Sequence, residues 1–107
     1  GNANWSAKGD IISADKGSGF LVTKDSFSDF YLKLEFFAQS ATNSGVFFRC
    51  DSSSDISDQK CYEANIFDTR PDQIYRTGAI TGHSSPTAII NSEDGKWHTY
   101  EIRAVGD

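Results

Sequence analysis

The sequence predicts an all-β fold of antiparallel sheets packed as a sandwich. Three observations carry this expectation. The dominant apolar periodicity is two, no stretch repeats convincingly at helical spacing, and short apolar runs alternate with clusters of Gly, Asp and Ser. The clearest element starts at Phe30. Phe30, Leu32, Leu34, Phe36 and Ala38 fall on one face, and Tyr31, Lys33, Glu35, Phe37 and Gln39 on the other. That pattern is a strand with one face in a core. Shorter strands are expected at Gly9–Ser13 and Phe20–Thr23, around a loop in which Gly17 and Gly19 turn the chain. Two more are expected at Val46–Cys50 and Cys61–Asp68, around a loop of Asp and Ser, and another at Trp97–Ala104 after the turn Ser92–Gly95. Thr69–Ser92 contains both prolines and reads as irregular, with a short strand at Gly78–Thr81. With no repeat and no low-complexity linker, residues 1–107 read as a single domain.

Composition narrows the function. A chain of 107 residues can bury a small core, and eight Phe, four Tyr and two Trp make that core rich in rings. Ten Lys and Arg against fifteen Asp and Glu give a net charge of −5. This argues against nucleic acid, which demands clustered positive charge, and against an anionic membrane surface. No apolar run approaches the roughly 20 residues that span a bilayer.

Cys50 and Cys61 leave two readings open: a disulfide closing the loop between two strands, or two reduced, half-buried thiols. The bond would contribute roughly 3 kcal/mol in the chain-entropy model. A metal site is disfavoured, because no second Cys pair or His lies at ligand spacing. Strand register matters here. If the two cysteines are directly opposite, Arg49 pairs with Tyr62 and lies on the face away from Glu63. A shift of one residue brings Arg49 to the Glu63 face. A disulfide at that pairing and an Arg49–Glu63 site therefore compete, unless a bulge intervenes.

Three segments place polar groups in strands that should be apolar: Asn43–Arg49, Tyr62–Asp68 and Thr77–Ile80, with His83 near the third. Within the second, alternation puts Glu63, Asn65 and Phe67 on one face and Tyr62, Ala64 and Ile66 on the other. A carboxylate, an amide and a ring pointing the same way suit a sugar, whose hydroxyls they bind and whose C–H face a ring covers. A solvated outer face is the alternative. Asn43-Ser44-Gly45 reads as the entry to its strand, with Gly45 allowing close backbone approach, or as an ordinary turn. Asp68 and Asp72 read first as turn caps. His83 could act as acid or base near neutral pH, or be incidental in its loop. Asp51–Asp58 resembles half of a calcium loop, but Ile56 stands where glycine is needed and Tyr62 where glutamate closes the site. No phosphate-binding loop, nucleophile elbow or paired-histidine zinc motif is present.

Taken in order, the motifs resemble a bacterial domain family named for 3-keto-disaccharide hydrolase and 3-keto-glycoside lyase activity. The matching residues are Trp5, Gly9-Asp10-Ile11, Asp29-Phe30, N-S-G-V-F-F-R at Asn43–Arg49, Y-E-A-N-I-F-D at Tyr62–Asp68, T-G-A-I at Thr77–Ile80 and W-H-T-Y-E-I at Trp97–Ile102. The resemblance implies a concanavalin A-like jelly roll with a concave sugar-binding face. It implies a carbohydrate substrate and a bacterial protein outside the cytoplasm, periplasmic or secreted. It makes Glu63 and Arg49 the candidate catalytic pair, with Asn43, Asn65, Phe67, Asp68 and His83 as candidate substrate contacts. A non-catalytic lectin-like module is the alternative. No cofactor is assigned; such folds can hold a divalent ion, but the sequence supplies no complete ligand set. Asn65 stands where the family usually has Gln. Family members are also longer, with a strand before Trp5 and further strands after the turn Val105–Asp107. The domain is therefore expected to be partial relative to the family: a fragment, a fold that other copies complete with their strands, or a reduced form, with open sheet edges through which it could self-associate.

Overall fold

The computed structural model describes residues 1–106, so Asp107, at the end of the expected final turn, lies outside the described residues. The architecture is all-β and antiparallel, as the periodicity predicts. Among the described residues, six strands form three pairs: β1 (Trp5–Lys8) with β2 (Ile11–Ala14), β3 (Phe30–Phe36) with β6 (His98–Ala104), and β4 (Ser44–Phe48) with β5 (Tyr62–Ile66). A 3₁₀ turn, Gln73–Tyr75, follows β5, and the Asp72 carboxylate caps it by accepting the Ile74 N–H at 3.2 Å.

The β3–β6 pair realises the period-two pattern. Phe30 faces Ala104, Leu32 faces Ile102, and Leu34 faces Tyr100, so the apolar sets of both strands share one face. That face meets β4–β5, where the Phe30 ring lies edge-on to Phe48 at 5.9 Å. Tyr100 joins the same two layers with hydrogen bonds. Its hydroxyl donates to the Asn65 carbonyl and accepts the Gly78 N–H at 2.8 Å. Burial pushes the Tyr100 phenol up to about 12, so it serves as a neutral clamp.

Several boundaries differ from expectation, each for a local reason. Gly9 is not a strand residue. It takes φ 60° in the two-residue turn between β1 and β2, a position that tight hairpins reserve for glycine. Phe20–Thr23 forms no strand, because no edge pairs with it; Phe20 packs instead against the Phe47 ring at 5.2 Å. β5 stops at Ile66, because the Phe67 N–H donates to the Thr77 hydroxyl at 2.8 Å. Gly78–Thr81 does run beside β5, with Asn65 N–H to Ala79 carbonyl and Thr81 N–H to Glu63 carbonyl both at 3.0 Å, but only Ile80 makes a regular bridge.

The end of β4 settles the cysteine question. Phe48 pairs with Tyr62, one residue off the direct Cys50–Cys61 pairing. Arg49 then turns left-handed, with φ 59°, and this extra step lets Cys50 reach Cys61 and form the disulfide. The same turn carries the Arg49 guanidinium away from the sheet face. It donates to the Ser28 carbonyl and pairs with Asp29 at 3.2 Å. Asp29 also accepts the Gly106 N–H at 2.9 Å, so Arg49 anchors the start of β3.

Burial is deepest around a polar knot rather than around large apolar side chains. Ala79, Ser92 and Thr77 are the most enclosed residues, whereas Phe20, Phe27, Tyr31 and Trp97 remain widely exposed. At the centre of the knot is Asp68, 9% exposed. Its carboxylate accepts from the Thr77 hydroxyl, the Ser92 N–H at 2.6 Å, the Ser92 hydroxyl at 2.7 Å and the Glu93 N–H at 3.0 Å.

Candidate functional site

The polar face of β4–β5 builds a small cavity of about 180 Å³. The pairs Gly45–Asn65 and Phe47–Glu63 set this face, and Val46–Ala64 and Phe48–Tyr62 set the opposite one, as the alternation predicts. Glu63 enters the cavity from β5, and the space it occupies is made by Gly45. A Cβ built on Gly45 would lie 2.8 Å from Glu63 Cγ and 3.0 Å from Cδ. Gly45 has no positive φ, so the glycine answers a close approach and not a backbone demand. Gly45→Ala is expected to expel the Glu63 side chain while leaving the ladder intact. Any activity that depends on Glu63 should fall about tenfold or more, with little change in melting temperature. An active Gly45→Ala variant would contradict this placement.

The far wall comes from loops. Asp58 belongs to the segment closed by the disulfide, Thr81 to the strip beside β5, and Arg70 and Tyr75 to the chain after β5. Asn43 lies at the rim, just before β4. Burial pushes the Glu63 carboxyl above the ordinary range. The nearby Thr81 hydroxyl pulls the other way, and the Asp58 charge adds to the rise. The Thr81 hydroxyl is buried and makes no well-formed hydrogen bond. Asn65 is spent on structure: its side-chain NH₂ donates to the Tyr75 carbonyl at 2.8 Å and its oxygen accepts the Ile66 N–H at 3.1 Å. It therefore holds the 3₁₀ turn against β5 as a wall of the cavity.

Of the residues singled out from sequence, Glu63, Asn43, Asn65 and Phe67 meet in this cavity. Arg49, Asp68 and His83 do not line it. Arg49 is held by Asp29, Asp68 ties the loop at Ser92, and the His83 ring packs at a tilt against Tyr62 at 5.2 Å, on the other face of β5. Burial works to raise Asp68, but its donors from Thr77, Ser92 and Glu93 outweigh it and hold the carboxyl below the ordinary range. Sequence reading missed Asp58, Arg70, Tyr75 and Thr81, whose only signal is proximity to the Tyr62–Asp68 and Thr77–Ile80 motifs. A larger hollow, about 430 Å³, lies between Phe20, Val22 and Ser53–Ile56, but Asp55 is its one titratable side chain. Among the described residues, no group of three or more His, Cys, Asp and Glu is placed to hold a metal ion, and no helix is long and apolar enough to cross a membrane.

A carboxylate made more basic by burial, set on a sheet beside amides, rings and a guanidinium, is the equipment of a carbohydrate-active β-domain. The family comparison agrees. The 3-keto-alpha-glucoside-1,2-lyase-like domain matches residues 1–107, and the chain belongs to that family, whose fold is concanavalin A-like. Among curated proteins and solved structures, nothing matches it significantly.

Proposed function

We propose that the domain cleaves 3-keto-glycosides by elimination, with Glu63 as the base. The observation that carries this reading is the Glu63 carboxylate, raised by burial and positioned over Gly45 in the cavity. A ketone at C3 acidifies the hydrogen at C2. Glu63 takes that proton, the C–H electrons form the enolate, and their return expels the oxygen at C1. The leaving oxygen takes up a proton, and water added to the resulting unsaturated sugar completes a net hydrolysis. Phe67 lines the cavity with an apolar ring, and Asn43 offers a rim contact for a hydroxyl. Arg49 has no part in this scheme, because Asp29 and the Ser28 carbonyl occupy its guanidinium.

Residence outside the cytoplasm, in the periplasm or beyond the cell of a bacterium, belongs to the same proposal and is supported by the disulfide. Self-association through open edges is supported by sheets of only two strands each. The test is incubation with a 3-keto-glucoside, reading aglycone release by mass spectrometry. Release supports the proposal. Sugar binding without release would replace it with a lectin-like module.

A further inference from the structure

The cavity beside Glu63 contains a cation that no carboxylate neutralises. The Arg70 guanidinium sits over the Phe67 ring at 5.5 Å and over the Tyr75 ring at 5.2 Å. Among the described residues it makes no ion pair and no hydrogen bond. Two ring faces can hold a guanidinium in place by cation–π attraction while leaving its N–H donors unspent. Arg49 shows the contrast, since a carboxylate and a carbonyl consume its donors. Net charge sharpens the point. In a chain of net −5, a cation with no counter-ion is placed on a cavity whose other charged residues are Glu63 and Asp58.

A second observation lies on the same wall. Thr81 is only 6% exposed, and its hydroxyl, beside the Glu63 carboxyl, makes no well-formed hydrogen bond. A buried hydroxyl without a well-formed bond is costly, and a ligand oxygen beside Glu63 would complete its bonding.

We infer that Arg70 and Thr81 form a subsite for the anionic oxygens of an enolised ring sugar, a cyclic enediolate. This rests on the reading of Glu63 as the base. When the C2 proton moves to Glu63, the C–H electron pair becomes the C2–C3 double bond and the carbonyl electrons settle on the C3 oxygen. That oxygen and the C2 hydroxyl are neighbours in one plane, a pair that the parallel N–H donors of a guanidinium fit. As the carbonyl re-forms, the C1–O bond breaks and the proton on Glu63 is available to the departing oxygen. No oxidant or reductant is consumed. A donor aimed at charge that develops only on enolisation acts on the rate rather than on ground-state binding.

Ascorbate is a stable ring enediolate monoanion at neutral pH and serves as the probe, titrated without oxygen and followed by NMR. The wild type should bind it, and Arg70→Ala should weaken binding about tenfold or more. Arg70→Lys, which keeps the charge and loses the fork, should fall between. Arg103→Ala is the matched control, because Arg103 stacks on Tyr31 at 5.8 Å on the outer face of the β3–β6 sheet, and its variant should bind as the wild type does. Wild type that fails to bind ascorbate, or Arg70→Ala that binds it equally well, overturns the inference. Ascorbate binding that requires Arg70, in a protein that cleaves no 3-keto-glucoside, supports the subsite and overturns the base.

Discussion

Glu63→Gln should abolish aglycone release from a 3-keto-glucoside, with a loss of roughly 10²–10⁴-fold, the range for removal of a general base. Gln fills the same space over Gly45 but cannot take a proton. The substitution should not cost stability, and linkage explains why. Burial raises the folded carboxyl of Glu63 above its unfolded value of 4.5, so the folded state favours the protonated form. The stability this supplies is fully present below the unfolded value and is lost as pH rises through the raised folded one. At neutral pH the charged carboxylate is therefore a burden that Gln removes, and the melting temperature should hold or rise. Wild-type release should increase with pH through the raised value, as more of the base form is present. Loss of activity with loss of fold would point to a structural Glu63, and retained activity would remove the base from the scheme.

Asp68→Ala should have the opposite character. Asp68 lies outside the cavity, yet four donors converge on it from Thr77, Ser92 and Glu93. Removing the carboxylate strands those donors in a buried place, and each hydrogen bond to a charged acceptor contributes about 1.5–3 kcal/mol. With partial rescue by water, a net loss on the order of 3 kcal/mol is expected, a large fraction of a small domain's stability. The loss can be read from urea unfolding. The pH dependence has its own sign. The folded carboxyl lies below its unfolded value of 3.8, so its contribution is present above that value and disappears as pH falls through the folded one. The variant should lack this part of the acid sensitivity. An unfolding midpoint that Asp68→Ala leaves in place would mean that the Thr77–Ser92 knot does not hold the loop.

These two carboxylates sit five residues apart in one motif, and their different roles mark what the sequence could and could not convey. Alternation assigned the faces of β5 correctly, because a strand's side-chain period is fixed at two. The β3–β6 pair was legible for the same reason. Arg49 was not, because its placement turns on one left-handed residue that shifts the cysteine pairing and redirects a side chain. Phe20–Thr23 reads as a strand by composition, yet a strand exists only where an edge receives it. The far wall of the cavity was illegible for a further reason. Asp58, Arg70, Tyr75 and Thr81 arrive on irregular segments held by a disulfide, by Asn65 and by bonds to β5, none of which a periodicity reports.

The fate of the hydrogen at C2 tests the central claim most directly. A 3-keto-glucoside deuterated at C2 would be followed at early times, against an enzyme-free control for spontaneous exchange of the ketone. The elimination scheme predicts aglycone release with a primary isotope effect and a sugar product that has lost its deuterium to solvent, both absent in Glu63→Gln. Release at an undiminished rate, with the deuterium still at C2 of the product, would contradict it.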